Sequence, residues 1–313
     1  MFYLTSPDVR EAEVFTRMPE KFRKPDVRTE WARANRGGMV TDSFLEGPVW
    51  DPDGYLFVTD IPHGRIFRIS PSGDWDLVVE YDGEPNGMKR FDASHLIITD
   101  YRNGLMLLDI ERGEIRPHLE RRNTERFKGV NDLTFDSAGN LYFTDQGQTG
   151  LHDPTGRVYR LSPDGKLDML LGTCPSPNGL VLSRDEKVLF VAMTRGNAVW
   201  RMPLQADGSV SKVSQFFTSY GPSGPDGLTV DLEGRLFVAN PGLGRVWVLN
   251  HCAEPVEILT GPKGASLTSV CFGGPDMKTL FITESTSGSV LKADMSIAGP
   301  LPKQAAKRAV KQD

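Results

Sequence analysis

Long apolar runs are missing from this 313-residue chain. The longest, such as LIIT (96–99) and LFVA (236–239), fall far short of the length needed to cross a bilayer. Basic blocks are missing too. With 36 basic residues against 41 acidic ones and a net charge of −5, the chain lacks the electrostatic footprint of a nucleic-acid binder. Cysteine is scarce: Cys174, Cys252 and Cys271 are odd in number, scattered, and in no CxxC pair. That excludes a disulfide framework, gives no sign of a zinc or redox motif, and reads as three reduced thiols of the cytoplasm. The opening stretch MFYLTSPDVREAE has early acids and no apolar core, so it does not read as a secretory leader. No long amphipathic helical pattern follows residue 40. Composition leaves the oligomeric state open.

What is present is turn chemistry at regular intervals. Glycine (32) and proline (22) are too frequent for a helical protein. They punctuate the chain in DPDG (51–54), SPSG (70–73), DSAG (136–139), SPDG (162–165) and DLEG (231–234). In each, Asp or Ser can bond its own backbone and Gly can take a positive φ. Short β-rich runs flank them: YLFVTD, RIFRIS, LYFTD, RVYRLS, RLFVAN. Six segments align, starting at Glu46, Asn86, Asn131, Asn178, Asp226 and Thr268, with steps of 40, 45, 47, 48 and 42 residues. That period belongs to four-stranded propeller blades. The expected fold is therefore all-β, a single six-bladed β-propeller over 1–313; length alone would suggest about two domains, but all-β units often exceed that prior. The sixth unit stops after its third strand, SVLKADM. EVFTRM (13–18) is expected to supply the fourth and close the ring. Residues 19–42 read as a charged loop with one helical turn over one face, and the polar, basic tail from Ser296 as frayed.

In a propeller the first strand of each blade lines the central channel, so the first residues of those strands converge on its axis. An isolated N-G or D-G is ordinarily a tight turn. Turn chemistry does not, however, require one register across six repeats, nor does it explain Glu46. Two carboxylates and several amide oxygens around one axis suit a hard divalent cation such as Ca2+. Mg2+, Mn2+, Fe2+ and Zn2+ are further candidates, although zinc more usually recruits His or Cys. Glu46 and Asp226 together balance a 2+ charge; without it they repel, and one holds a proton.

EGPVW, VNDLTFD, SPNGL and GPDGL, one per blade and in this order, resemble the gluconolactonase / senescence marker protein / luciferin-regenerating enzyme family, with squid-type diisopropyl fluorophosphatase a more distant relative. The resemblance runs from about residue 10 to residue 293. It implies a six-bladed propeller with one catalytic divalent metal, often calcium, in the channel. It places the metal ligands on Glu46, Asn131, Asn178 and Asp226, and the catalytic base or nucleophile on Asp226. Asn86 shares the register without being a usual ligand and is a candidate substrate or water contact; Thr268 reads as structural. Many lactonases of the family carry an arginine two residues before the third-blade Asn, where it helps hold a sugar lactone. Here that position is Gly129. Loops on the same face bring His63, Arg102, His152 and Arg195 forward as candidate substrate contacts.

The implied activity is metal-dependent opening of the ring of a sugar lactone or other small lactone, with the metal polarising the carbonyl and Asp226 as base. Two alternatives share the same site: an organophosphate or ester hydrolase, and a non-catalytic propeller that calcium rigidifies for ligand binding.

Overall fold

In a computed structural model, which describes residues 6–305, the expected six blades are present, each built on four antiparallel strands. The innermost strands are Leu45–Trp50, Pro85–Arg90, Val130–Phe135, Pro177–Leu182, Leu228–Val230 and Leu267–Gly273. Asp-Gly turns join neighbouring strands as their chemistry dictates. At Asp51–Gly54 the Asp51 carboxylate accepts the Asp53 amide at 2.8 Å, and Gly54 closes the turn at φ +93°.

Glu13–Arg17 pairs antiparallel with Ser289–Asp294 and supplies the missing outer strand of blade six. One strand was not expected: Asp8–Glu11 runs parallel to Pro255–Thr260 and gives blade five a fifth member. Residues 19–42 hold a 3-10 turn, Glu20–Phe22, and one short α-helix, Glu30–Asn35, capped by Thr29.

The apolar core lies between blades rather than on the axis. Phe237 and Leu259 of blade five, for example, pack against Leu267, Leu280 and Leu291 of blade six. The tail departs from the frayed expectation as far as Ala305. Leu232 donates to the Ala298 carbonyl at 2.8 Å, Gly299 to that of Met277 at 2.8 Å, and Ala305 to that of Phe91 at 3.1 Å. Residues 306–313, the rest of that predicted tail, lie outside the described residues.

Two features aim the inner strands at the axis. Five of them break register just past their first residues, between Glu46 and Val49, Pro85 and Met88, Val130 and Leu133, Pro177 and Leu180, and Leu267 and Ser269. Bulges of this kind turn a side chain out of the sheet's alternation. The next residue inward is glycine in four blades, because nothing larger fits. A β-carbon on Gly47 would sit 2.1 Å from the Asn86 carbonyl oxygen, on Gly179 2.2 Å from that of Asp226, and on Gly227 2.3 Å from the Ser269 hydroxyl. One on Gly87 would meet the Asp132 carboxylate at 2.4 Å. Gly87, Gly179 and Gly227 do not take a positive φ, so close approach of neighbouring strands, and not turn geometry, selects glycine there. The result is a narrow waist in the channel.

Gly179→Ala is therefore expected to destabilise the fold by about 1–3 kcal/mol through overpacking. Urea unfolding measures this directly, and an unchanged midpoint would mean the strands can part to admit a methyl group.

Candidate metal and substrate site

Above the waist the channel opens into a cavity of about 290 Å³ lined by Glu46, Asn86, Asn131, Asn178 and Asp226, with Arg195 at its wall. The expected ring of oxygen donors is thus brought together in one place. Thr268, expected to be structural, stays out of this lining and donates to the Leu45 carbonyl at 2.9 Å, tying blade six to blade one.

A recurrent device holds the ring residues in place. The second strands of blades one, two and three end in Thr-Asp, and that of blade six in Thr-Glu. In blades one to three the threonine reaches the next blade: Thr59 donates to the Asn86 carbonyl at 2.8 Å and Thr144 to that of Asn178 at 2.8 Å, while Thr99 bonds the Asn131 carbonyl. The acid turns back to its own blade. Asp60, Asp100, Asp145 and Glu284 accept from the backbone of Phe44, Glu84, Gly129 and Ser266, at 2.7, 3.0, 2.9 and 2.9 Å. Each of these four amides lies two residues before a ring residue. Blades four and five place Met193 and Asn240 at the corresponding position.

The ring amides are also oriented. Asn131 donates its Nδ2 to Gln146 Oε1 at 2.9 Å, and Gln146 is held in turn by Ser176 Oγ at 3.0 Å. With its nitrogen so engaged, the amide oxygen of Asn131 is the free end. The Asn178 side chain hydrogen-bonds the Asp226 carboxylate.

The electrostatics run against two negative charges in this place. Burial raises the Glu46 carboxyl well above its ordinary range, and the Asp226 charge adds to the effect. Asp226 is pushed up to about 8, first by burial and then by Asp132 just below it, while Asn178 and Arg195 pull the other way with smaller effects. Two buried carboxylates without a paired cation, beside two amides that present oxygen, form a donor set that fits a hard divalent ion. Among the described residues no group of three His, Cys, Asp or Glu side chains forms a metal cluster, so the fit depends on the asparagines.

The loop candidates separate. Arg195 lines the cavity. His63 does not: it is buried in a 3-10 turn with Nε2 on the Thr41 carbonyl at 3.0 Å, and burial lowers its pKa. Arg102 is paired with Asp82 at 2.5 Å, away from the lining. His152 is exposed beside Gly150, also outside the lining.

Other lining residues carried no signal in the repeat register. Trp31 comes from the Glu30–Asn35 helix and packs on Phe44 at 4.7 Å between ring centroids; both line the cavity, as do Ile61 and Tyr101. Tyr101 packs against Gly129, whose β-carbon would come within 2.4 Å of the ring. Gln148 spans the rim, donating to the Tyr101 hydroxyl at 3.0 Å and to Asn35 Oδ1 at 3.3 Å. The recurring Thr-Asp doublet was a signal in plain view for the supporting network; Trp31 and Tyr101 had none.

Known proteins place this geometry. Residues 44–286 match the family description SMP-30/Gluconolactonase/LRE-like region. A gluconolactonase of Zymomonas mobilis is 30% identical over 272 residues, covering 77% of this chain and 76% of that protein. Lactonase drp35 of Staphylococcus epidermidis is 33% identical over 247 residues, covering 74% and 73%. Among solved structures, the calcium-binding protein regucalcin of Agrobacterium tumefaciens superposes with a TM-score of 0.77 at 21% identity, over 97% of this chain and all of its own. A luciferin-regenerating enzyme superposes with a TM-score of 0.74 at 23% identity, over 84% and 95%. At these identities the two structures speak for the fold.

The raised carboxyls carry a stability signature. A carboxyl that ionises at about 8 when folded and near 4 when unfolded contributes fully below about pH 4 and loses that contribution as pH rises towards 8. Chelator-treated protein is expected to lose melting temperature from about pH 5 to about pH 8, and Asp226→Asn to lose less. Equal slopes for the two proteins would remove Asp226 as the source.

Proposed function

The chain belongs to the SMP-30/gluconolactonase/LRE-like family, and we propose that it hydrolyses small lactones with the help of one divalent cation, calcium foremost, held by Glu46, Asn131, Asn178 and Asp226. The observation that carries this reading is the convergence of two buried carboxylates and two amides on one cavity. The names of the gluconolactonase and lactonase relatives support the substrate class.

When bound, such a cation supplies Lewis-acid chemistry, drawing electron density from a carbonyl and making water easier to deprotonate. The remaining roles fall to side chains. Asp226 is the base, taking a proton from the attacking water onto its carboxylate. Its amide contact with Asn178 orients that carboxylate. Without a compensating positive charge Asp226 holds its own proton near neutrality and cannot serve. Arg195 and Asn86 face the same space and are the contacts for the substrate's polar atoms. Trp31, Phe44 and Tyr101 wall the mouth, exclude water and pack on the ring of the lactone. His63, Arg102 and His152 have no part in this scheme.

The test is acid release from a panel of lactones with and without chelator, set beside calcium titration. Asp226→Asn is expected to keep a shaped site while kcat falls about 10²–10⁴-fold, the usual worth of a positioned base. Wild-type turnover in that variant would place the base elsewhere. No turnover of any lactone by metal-loaded wild type would leave a binding module in place of an enzyme.

A further inference from the structure

Below the waist the channel widens again into a second cavity of about 500 Å³, larger than the first. It is built by the lower ends of the same innermost strands. Trp50, Phe135, Leu182, Val230 and Phe272 give it apolar walls. The tail covers it: residues Pro300–Lys303 form part of the lining, Lys303 pairs with Glu186 of blade four, and Ala305 is tied to Phe91 of blade two. Glu186 also accepts from the Ser137 backbone at 3.0 Å, linking blades three and four at the same rim.

Within these walls stands one cation from the inner strands. Lys89 lies three residues below Asn86 on the same strand, and the cavity reaches it. Its charge is felt by Asp132 above and by Cys271 beside it. Its ammonium nevertheless makes no hydrogen bond or ion pair among the described residues. Cys271 is no counter-ion: burial pushes its thiol up to about 12, so it stays neutral. A cation half-withdrawn from water without a direct partner is costly, and a bound anion with its own hydrogen-bonding oxygens relieves that cost. The apolar walls ask for the rest of the ligand to be hydrocarbon. A volume of this size, with apolar side chains beside placed charged groups (Arg184, Asp185, Glu186 and Lys303 line it as well as Lys89), falls in the range of small-molecule sites.

We propose that this lower cavity binds a free alkyl carboxylate, its head on Lys89 and its chain among Phe135, Leu182, Val230 and Phe272 beneath the tail. This site is separate from the lactone cavity, since the glycine waist stands between the two.

Calorimetric titration of dodecanoate into the full chain tests it. One saturable site is expected. Lys89→Met should weaken binding about tenfold or more, as should replacing dodecanoate by dodecanol, because each removes a charge-assisted hydrogen bond. Val230→Phe, which fills the cavity, should also weaken binding, and near-UV circular dichroism checks that it remains folded. Asp226→Asn should bind as wild type does. The proposal is overturned by absence of saturable binding, by equal affinity of Lys89→Met and wild type, by equal affinity for dodecanol, or by loss of binding in Asp226→Asn, which would put the carboxylate in the upper cavity.

Discussion

The distance between neighbouring inner strands at the channel's waist governs the rest of the molecule. Gly47, Gly87, Gly179 and Gly227 let backbones and short side chains meet where a single methyl group would collide. Because the strands come that close, the residues immediately above them, Glu46, Asn86, Asn131, Asn178 and Asp226, share one small cavity. Looser packing there would spread the same side chains over a wide pore. The waist also divides the axis into two chambers of different chemistry, one floored by acids and amides, the other walled by apolar side chains around Lys89, with charged residues of the blade-four turn and the tail in its lining.

Three acids near the axis, Glu46, Asp132 and Asp226, would push such a tight ring apart if all were ionised. Partial neutralisation is one answer, visible in the raised carboxyls of all three. Mechanical restraint is another. The Thr-Asp doublets bind blades one, two and three each to the next through carbonyls of ring residues, and bind their own inner strands through a buried carboxylate. Position is thus set by backbone hydrogen bonds that do not depend on the charge state of the site, so a rigid cage can hold groups whose protonation changes.

Much of this was legible in the sequence because repetition amplifies weak signals. One N-G pair says little, but the same register at Asn86, Asn131, Asn178 and Asp226 located the channel and the donors around it. The closing strand was legible because blade six visibly lacked one. Side chains on the connecting loops were not, since a loop has no periodicity from which to read direction. His63 turns inward to a backbone carbonyl and Arg102 outward to Asp82, while Arg195, of the same apparent standing, lines the cavity. The glycines were visible, but their reason was not: as part of N-G and D-G they resemble turn residues, and only the neighbouring strand shows what they avoid. Trp31 reaches the site from outside the repeat, and the strand Asp8–Glu11 joins a sheet that was already complete.

The closing strand has a consequence in time. Glu13–Arg17 leaves the ribosome before any blade exists, yet its partner, Ser289–Asp294, is made almost a whole chain later. Until then the earliest segment has nothing to pair with, and the last blade shows a bare edge. Pairing across so great a sequence separation is slow. Completion of the circle is therefore the final step of synthesis and folding together, and a chain cut short at any blade is left open, with its unpaired edges marking it as unfinished.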